Sequence, residues 1–259
     1  MLEPWRTGMP DRPALPVPPE RMAPWRDGRP LKRWRWIGGF AEDLIFCAAT
    51  ARIGPIPVSW WAVWDRQTRT LLERTVKSRR LVELSHGARL QDGPVAFALN
   101  AIPGAAVETI SPHGSSYIWT KKAPLRITGT ITMLERQFVI DCAGLIDDSA
   151  GYHARHTNWT WSAGAGQTTD GRPVVWNLVT GLHDADIGSE RTVWVDGEPH
   201  EVGPVQGLDF AQETARVHQE DRWIVATDYE QPFGAFTGTL ETAGEITGLG
   251  VTERHAARW

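Results

Sequence analysis

The sequence has little from which a disulfide framework or a membrane span could be built. Its 259 residues include only 2 cysteines, Cys47 and Cys142, and both lie in apolar runs. We therefore expect reduced, buried thiols, which are typical of a cytoplasmic protein. No apolar run reaches the ~18 residues of a spanning helix, and residues 1–19 contain no continuous apolar segment, so we expect neither a membrane span nor an export signal.

Positive charge is also scarce. The formal net charge is -4 and the isoelectric point is near 6.1. The two basic runs, at 32–35 and 77–80, hold only three cationic side chains each. Such short runs on an acidic protein attract phosphate backbones weakly, so we do not predict nucleic acid as a partner. Nothing in the sequence predicts the oligomeric state.

Helical periodicity is nearly absent. From Leu31 onward, short runs rich in Trp, Val, Ile, Thr and Phe alternate with Gly, Pro and Asp, which is typical of antiparallel strands. Asp170-Gly171 and Asp196-Gly197 predict tight hairpins, because such turns need positive φ. Only residues 209–220 fit a short helix. We predict a mostly β protein with little helix, made of two lipocalin-like antiparallel modules, half-barrels or barrels, packed together.

Proline marks the start of the chain. Residues 1–30 contain eight prolines and repeat the element Pro-Trp-Arg at 4–6 and 24–26. This composition predicts an extended, irregular lead-in rather than a domain. Turn-forming residues cluster at 111–124, so we place a boundary near residue 130. The predicted organisation is a lead-in at 1–30, an N-terminal β module at 31–130 and a C-terminal β module at 131–259.

Tryptophan is the residue in excess, with 14 copies against 3 tyrosines. Indole rings suit the wall of a cavity for a bulky ligand as well as an ordinary β core. The cavity interpretation is favoured near clustered titratable groups, and residues 147–166, DDSAGYHARHTNWTWSAGAG, contain such a cluster. If residues 152–161 are extended, each face is mixed: one carries His153, Arg155, Trp159 and Trp161, and the other carries Tyr152 and His156. Two mixed faces fit two interpretations equally well. The strand lines a pocket with polar groups at its base and aromatic rings in its wall, or it lies at the surface.

Several catalytic motifs are incomplete. Gly164 and Gly166 have the spacing of a dinucleotide loop, but a strand-like segment follows them instead of a helix. His153 and His156 would point to opposite sides of a strand, so we predict no metal, and no cofactor is predicted either. No serine lies in a G-x-S-x-G turn. A carboxyl pair of the kind used in glycoside hydrolysis stays open among Asp147, Asp148, Asp184, Asp186, Glu190 and Glu253.

A family resemblance runs through the same region. Residues 115–166, from SSYIWTKK to SAGAG, resemble a large bacterial family of uncharacterised proteins. Shorter segments continue the resemblance: WNLVTG, SERTVWVDG, DYEQPFG and GVTERH. The similarity extends over nearly all of the chain after the proline-rich lead-in.

A more distant resemblance concerns the order of single residues. Tyr117 on a strand, Gly129 in a hairpin, and Asp147 followed by Gly151 are similar in order to the carotenoid hydratase-like proteins. That family implies a two-domain lipocalin-like fold, and its relatives include hydratases, tocopherol cyclases and pericyclases that act on unsaturated apolar substrates. The sequence departs from the pattern at Leu145, Asp148 and Ala150, where those hydratases have tryptophan, histidine and a second aromatic residue. The resemblance implies a shared fold and pocket position.

Our leading hypothesis from the sequence is an enzyme that hydrates, isomerises or cyclises an unsaturated apolar small molecule. Asp147 would be the general acid, because a carboxyl walled by tryptophan should have a raised pKa. Pairing with Arg155 would instead lower that pKa. The remaining roles are proton relay or orientation for His153, His156 and Tyr152, and substrate contact for Trp159, Trp161, Asn177, Arg155, Tyr117 and Glu190. The alternatives are a non-catalytic lipid or isoprenoid carrier and a carbohydrate-binding or carbohydrate-active β protein.

Overall fold

A computed structural model describes residues 2–77, 81–221 and 226–258. Its strands are β1 (Trp5–Arg6), β2 (Trp25–Arg26), β3 (Arg29–Pro30), β4 (Lys32–Phe40), β5 (Leu44–Ile53), β6 (Ile56–Asp65), β7 (Thr70–Lys77), β8 (Val82–Leu84), β9 (Gly87–Asp92), β10 (Val95–Pro103), β11 (Val107–His113), β12 (Ser116–Met133), β13 (Arg136–Gly151), β14 (His156–Thr168), β15 (Pro173–Thr180), β16 (Thr192–Val195), β17 (Glu198–Glu201), β18 (Gly207–Asp221), β19 (Ala226–Leu240) and β20 (Gly244–Arg258). The helical content of these residues is one 3-10 turn, Pro19–Arg21.

The described strands form two large antiparallel sheets. The first sheet has 11 strands, with the order β7-β6-β5-β4-β13-β12-β10-β9-β8; β11 pairs with β12, and β1 pairs with β11. The second sheet has 7 strands, with the order β17-β16-β15-β14-β20-β19-β18. Both sheets curl into half-barrels. The predicted mostly β architecture of two antiparallel modules with little helix is confirmed.

The two sheets meet through a shared core. Buried residues from both sheets form it, among them Trp36, Ile45, Leu145, Trp161 and Phe233. A separate core consists of side chains of the first sheet, and another consists of side chains of the second sheet and its loops. Alternation along each strand produces this division, because neighbouring side chains point to opposite faces. Any site between the modules is therefore built from one face of each sheet.

The predicted short helix at 209–220 is wrong. These residues lie in β18, which pairs with β19 along its length apart from an irregularity between Gln212 and Thr214. Phe210 packs on Phe236 of β19, with ring centroids 4.6 Å apart. Long-range pairing and this ring contact outweigh the local helix preference.

Both predicted hairpins are confirmed. The turn after β14 contains Gly171 at φ 85°, and the turn between β16 and β17 contains Asp196 at 52° and Gly197 at 86°. The boundary near residue 130 stays a prediction; β12 runs through this position, and the chain passes between sheets after Gly151. Of the basic run at 77–80, residues 78–80 lie outside the described residues. The sequence RWIVATDY at 222–229 also predicts a strand, and its residues 222–225 lie outside the described residues as well.

The proline-rich lead-in packs against the first sheet. Trp5, Val17 and Met22 form a core cluster with Tyr117 and Tyr152. The buried Arg6 side chain reaches the second sheet, donating from Nη2 to the hydroxyl of Thr192 on β16 at 3.0 Å. The lead-in thus contacts both modules. No helix in the described part of the chain is both long and apolar enough to cross a membrane.

Candidate active site

A cavity of about 200 Å³ lies between the two sheets. Indole rings form much of its wall, and we call it the tryptophan cavity; its tryptophans are Trp34, Trp36, Trp60, Trp159 and Trp161. The rings converge because Trp34 and Trp36 are two positions apart on β4, and Trp159 and Trp161 are two positions apart on β14, so each pair shares one face of its strand. Aliphatic side chains such as Val179 and Leu182 fill the gaps between them.

Ring contacts join the two walls. Trp34 and Trp159 are stacked with centroids 6.5 Å apart, and Trp36 meets Trp161 edge-on at 5.1 Å. Trp161 donates its indole N–H to Oδ1 of Asn177 at 2.7 Å, and Asn177 in turn donates to the backbone oxygen of Glu190 at 2.8 Å. These bonds hold the ring of Trp161 in a defined orientation.

One polar group of the cavity is a buried ion cluster. Nζ of Lys122 lies 2.5 Å from Oδ1 of Asp147 and 3.4 Å from Oε1 of Glu190. Lys122 and Asp147 are direct cross-strand partners on β12 and β13, whereas Glu190 comes from the segment before β16. With all three groups ionised, the cluster would carry one more negative than positive charge.

Burial and charge act in opposite directions on this cluster. Burial raises the pKa of Asp147, the Lys122 ammonium lowers it, and Glu190 raises it further, so the net direction is upward. Burial lowers the pKa of Lys122, but the two carboxylates raise it more, so that the ammonium form is favoured. The cluster can therefore hold an extra proton on a carboxyl while keeping its lysine charged.

A second carboxyl lies on the opposite wall. Glu253 of β20 accepts hydrogen bonds from Nε1 of Trp159 and from the hydroxyl of Tyr229, both at 2.9 Å. Burial raises the pKa of Glu253 to about 7, although both hydrogen bonds oppose the shift. Burial also raises the pKa of Tyr229, so its hydroxyl stays protonated and donates.

Arg216 supplies a cation at another part of the wall. Its guanidinium carbon lies 4.9 Å from the ring centroid of Tyr229 and 5.7 Å from that of Trp60. Its nitrogens contact Oε2 of Glu73 at 2.7 Å and the hydroxyl of Thr75 at 2.6 Å. Since Glu73 and Thr75 belong to β7 and Arg216 to β18, this group joins the edge strands of the two sheets.

The structure brings together part of the predicted site. Asp147, Trp159, Trp161 and Glu190 line the tryptophan cavity, and Asn177 supports it from behind. Lys122, rather than Arg155, makes the closest ion pair with Asp147. Lys122 therefore lowers the pKa of Asp147, as Arg155 was expected to do. Lys122 was not singled out from the sequence.

The other predicted residues lie outside this cavity. Tyr152 donates its hydroxyl to the backbone oxygen of Ala23 at 2.8 Å and packs edge-on against Tyr117, next to the lead-in. His153 is buried with its ring 5.3 Å from that of Trp34. Arg155 and His156 are exposed. The continuous strand assumed for 152–161 begins only at His156, so the alternation does not extend back to His153.

Several cavity residues were not singled out from the sequence. Lys121 and Lys122 are adjacent on β12. Because neighbouring side chains of a strand point to opposite faces, one of the two lysines had to point toward the second sheet. Pairing of β18, β19 and β20 brings three more residues to the site: Tyr229, Arg216 and His255. This pairing cannot be predicted from the local sequence pattern. Within the described part of the chain, no group of three or more His, Cys, Asp or Glu side chains is arranged to hold a metal ion.

His183 offers a stability test of the cavity. Among the described residues, neither ring nitrogen has a hydrogen-bond partner, and burial lowers the pKa of His183 from 6.5 to about 3. Between these values the unfolded chain binds a proton that the folded chain excludes, so stability falls as pH falls, by up to ~1.4 kcal/mol per pH unit. We expect His183→Asn to reduce the loss of stability as pH falls. Asparagine tolerates the φ of 56° that is observed at this position.

The measurement is the urea midpoint of unfolding at several pH values between about 4 and 7.5. His200→Asn is the matched control, because His200 is exposed and should leave the slope unchanged. Parallel pH profiles for His183→Asn and the wild type would contradict the prediction.

Comparisons with known proteins match one family model over part of the chain. Residues 105–211 match the family model described as a domain of unknown function, DUF2804. The predicted resemblance is confirmed. The DUF2804 match includes Lys122, Asp147 and Glu190 and ends before Glu253. No curated protein matches the sequence.

Solved structures resemble the chain at low identity. An AttH candidate from Nitrosomonas europaea is 13% identical, with 86% of this chain and 92% of that chain covered and a TM-score of 0.45. Kievitone hydratase from Nectria haematococca is 10% identical, with 86% and 88% covered and a TM-score of 0.43. CghA with Sch210972 is 11% identical, with 88% of each chain covered and a TM-score of 0.45.

Proposed function

We propose that this protein binds an unsaturated apolar small molecule, of isoprenoid, lipid or polyketide type, in the tryptophan cavity. We propose further that it catalyses acid-assisted hydration, isomerisation or cyclisation of that molecule. The observation that carries the proposal is the buried carboxyl of Asp147 at an indole-walled cavity. Its ion cluster would hold one excess negative charge if fully ionised.

Ligand binding is supported by the composition of the wall. Five indole rings and several aliphatic side chains offer apolar contact, and polar or charged side chains, among them Asp147, Arg216 and Glu253, lie at separate positions of the wall. Such a combination is typical of small-molecule sites, in which apolar walls supply affinity and isolated polar groups supply orientation.

Proton donation is supported by the environment of Asp147. Protonating a carbon–carbon double bond requires an acid that stays protonated near neutrality, and the raised pKa of Asp147 favours that form. The positive charge that develops on the substrate would face the rings of Trp159 and Trp161, whose π-faces attract cations. Asn177 would act as a positioning residue, because it holds Trp161 and the Glu190 backbone together.

A non-catalytic carrier is the second candidate, and one contact favours it. Lys122 lies 2.5 Å from Asp147, and an ammonium at that distance stabilises the carboxylate. An ionised pair would serve as an anchor for a polar head group instead of a proton donor. The carbohydrate alternative expects tryptophan rings on an open face, whereas the rings of the cavity lie between the sheets.

Asp147→Asn separates the two candidates. The protein is incubated with a panel of acyclic isoprenoid alcohols, polyunsaturated fatty acids and conjugated polyenes, and products are detected by liquid chromatography and mass spectrometry. Hydration adds one water, whereas isomerisation and cyclisation change retention at constant mass. We expect Asp147→Asn to lower turnover by about 100-fold or more, the scale of general acid catalysis.

Binding is measured in parallel with N-phenyl-1-naphthylamine, a neutral apolar fluorescent probe, and should survive the substitution. Asp141→Asn is the matched control, because Asp141 lies on the same strand but is exposed at the surface. Probe binding without conversion of any panel compound by the wild type would contradict catalysis and favour the carrier.

A further inference from the structure

We propose that Glu253 and Tyr229 form a second proton-transfer group, which accepts the proton that the reaction releases. This inference rests on the proposed function and deepens it. It assigns opposite tasks to two carboxyl groups that line the cavity: Asp147 donates and Glu253 accepts. The reaction would then be one that needs both steps at a single alkene.

The positions of the two carboxyl groups support this division. Asp147 stands on β13 of the first sheet and Glu253 on β20 of the second, and both line the same cavity. A flat unsaturated molecule between the sheets would therefore have one carboxyl on each side. Addition of water to a double bond needs such a placement, with an acid at one carbon and a base beside the water.

The partners of Glu253 differ in kind from those of Asp147. Asp147 contacts a lysine ammonium, whereas the two oxygens of Glu253 accept from the neutral donors Trp159 and Tyr229. These hydrogen bonds orient the carboxylate without neutralising it. With a pKa of about 7, Glu253 has a substantial carboxylate fraction at neutrality, and its conjugate acid is weak enough for it to act as a base.

Other charged groups near Glu253 are compatible with this role. Arg216 contacts the Tyr229 ring and favours the carboxylate, whereas Asp147 raises the pKa of Glu253. His255 packs on the rings of Trp159 and Tyr229, and burial lowers its pKa to about 4, so it is neutral when Glu253 titrates. His255 therefore does not share the titration of Glu253 near neutrality.

The chemical steps balance for hydration. The π-electron pair of the alkene forms a C–H bond with the proton of Asp147, and the neighbouring carbon becomes positive. Water forms a C–O bond to that carbon while its proton moves to the Glu253 carboxylate. Asp147 ends as a carboxylate and Glu253 as a carboxylic acid, and proton exchange with solvent restores both. In isomerisation or cyclisation, Glu253 instead removes a proton from a carbon next to the positive carbon. The electron pair of the broken C–H bond then forms the new double bond.

The first experiment needs no substrate. Protein labelled with ¹³C at the glutamate side-chain carboxyl is titrated by NMR, and the Glu253 signal is assigned as the one missing from Glu253→Gln. We expect a midpoint near neutrality. Tyr229→Phe should move it upward, because a hydrogen bond to the carboxylate is lost. A midpoint in the ordinary range of an exposed glutamate, at about 4.3, would overturn the inference.

The second experiment uses a panel compound that the wild type converts. Glu253→Gln should lower kcat by about 100-fold with unchanged N-phenyl-1-naphthylamine binding, and it should remove the rising limb of the pH profile. Tyr229→Phe should lower kcat less than Glu253→Gln does and should shift that limb upward, which a merely structural residue would not do. Glu245→Gln, exposed on the same strand, is the matched control, and thermal unfolding verifies that each variant is folded.

The outcomes separate the two proposals. Full turnover by Glu253→Gln would overturn the role of Glu253 and leave acid catalysis by Asp147 standing. Failure of the wild type to convert any compound would count against the proposed function, and the catalytic role of Glu253 would fall with it. Loss of turnover in Glu253→Gln together with a midpoint near neutrality supports the inference.

Discussion

Replacing Lys122 by methionine is expected to destabilise the fold by about 3–5 kcal/mol near neutral pH, the typical cost of removing one partner from a buried ion pair. Methionine fills a similar volume but carries no charge, so Asp147 and Glu190 would face each other without the ammonium between them. Both carboxyls are almost fully buried and cannot turn to water. The shift in urea midpoint at pH 7 measures the effect.

The deficit of Lys122→Met should depend on pH. Burial already raises the folded-state pKa of Asp147 above its unfolded value, and loss of Lys122 removes the main opposing influence. The folded variant then binds a proton that the unfolded chain releases, so stability falls as pH rises between the unfolded pKa and the raised folded one. Relative to the wild type, the deficit should be largest near neutrality and shrink as pH falls toward about 4.

Two comparisons isolate the charge effect. Lys121→Met is the matched control, because Lys121 is adjacent in sequence but exposed, and it should stay close to wild-type stability. The double variant Lys122→Met/Asp147→Asn should recover part of the loss, since it removes one uncompensated carboxylate. Equal stability of the two single lysine variants would show that the cluster is not held by Lys122.

Local pattern was enough to predict the class of fold. Alternating apolar runs and Asp-Gly turns predicted antiparallel hairpins, and the turns at Gly171 and Gly197 have the positive φ that the pattern demands. The segment 209–220 was misread because its residues tolerate a helix. Its conformation is decided by pairing with β19, a partner that the local pattern does not reveal.

The site was predictable only in part for the same reason. Trp159, Trp161 and Asp147 lie near one another in sequence, and their clustering was visible. The contact of Lys122 with Asp147 depends on the register of β12 against β13. The position of Glu253 opposite Asp147 depends on how two whole sheets pack. That information lies in contacts across more than 100 positions of sequence.

The resemblance suggested substrate contact for Tyr117, and the polar cluster suggested proton relay or orientation for Tyr152. Both rings instead pack with Trp5 and other residues of the lead-in. A proline-rich segment has no periodicity from which its packing partner could be derived. Its docking therefore covers the tyrosine face of the first sheet, and this could not be predicted from the strands themselves.

The G-x-G spacing of Gly164 and Gly166 has a packing explanation, which a double-mutant cycle tests. Gly164 lies opposite Trp176, and a Cβ at Gly164 would stand 2.0 Å from Cζ2 of the Trp176 ring. Trp176 is fully buried and packs edge-on against Phe236 at 5.1 Å. We expect Trp176→Ala to cost about 3–5 kcal/mol of stability. We expect Gly164→Ala, which overpacks the same contact, to cost about 1–3 kcal/mol.

The double variant should cost less than the sum of the two single substitutions, with a coupling of at least about 1 kcal/mol, because the ring that meets the new methyl group is gone. Rescue should be incomplete, since the same Cβ also approaches the backbone oxygen of Leu249 at 2.6 Å. Gly207→Ala, where a Cβ would make only ordinary contacts, is the matched control. Additive losses in urea denaturation would mean that ring packing does not explain this glycine. Coupling would show that the glycine-rich segment is shaped by the indole beside it.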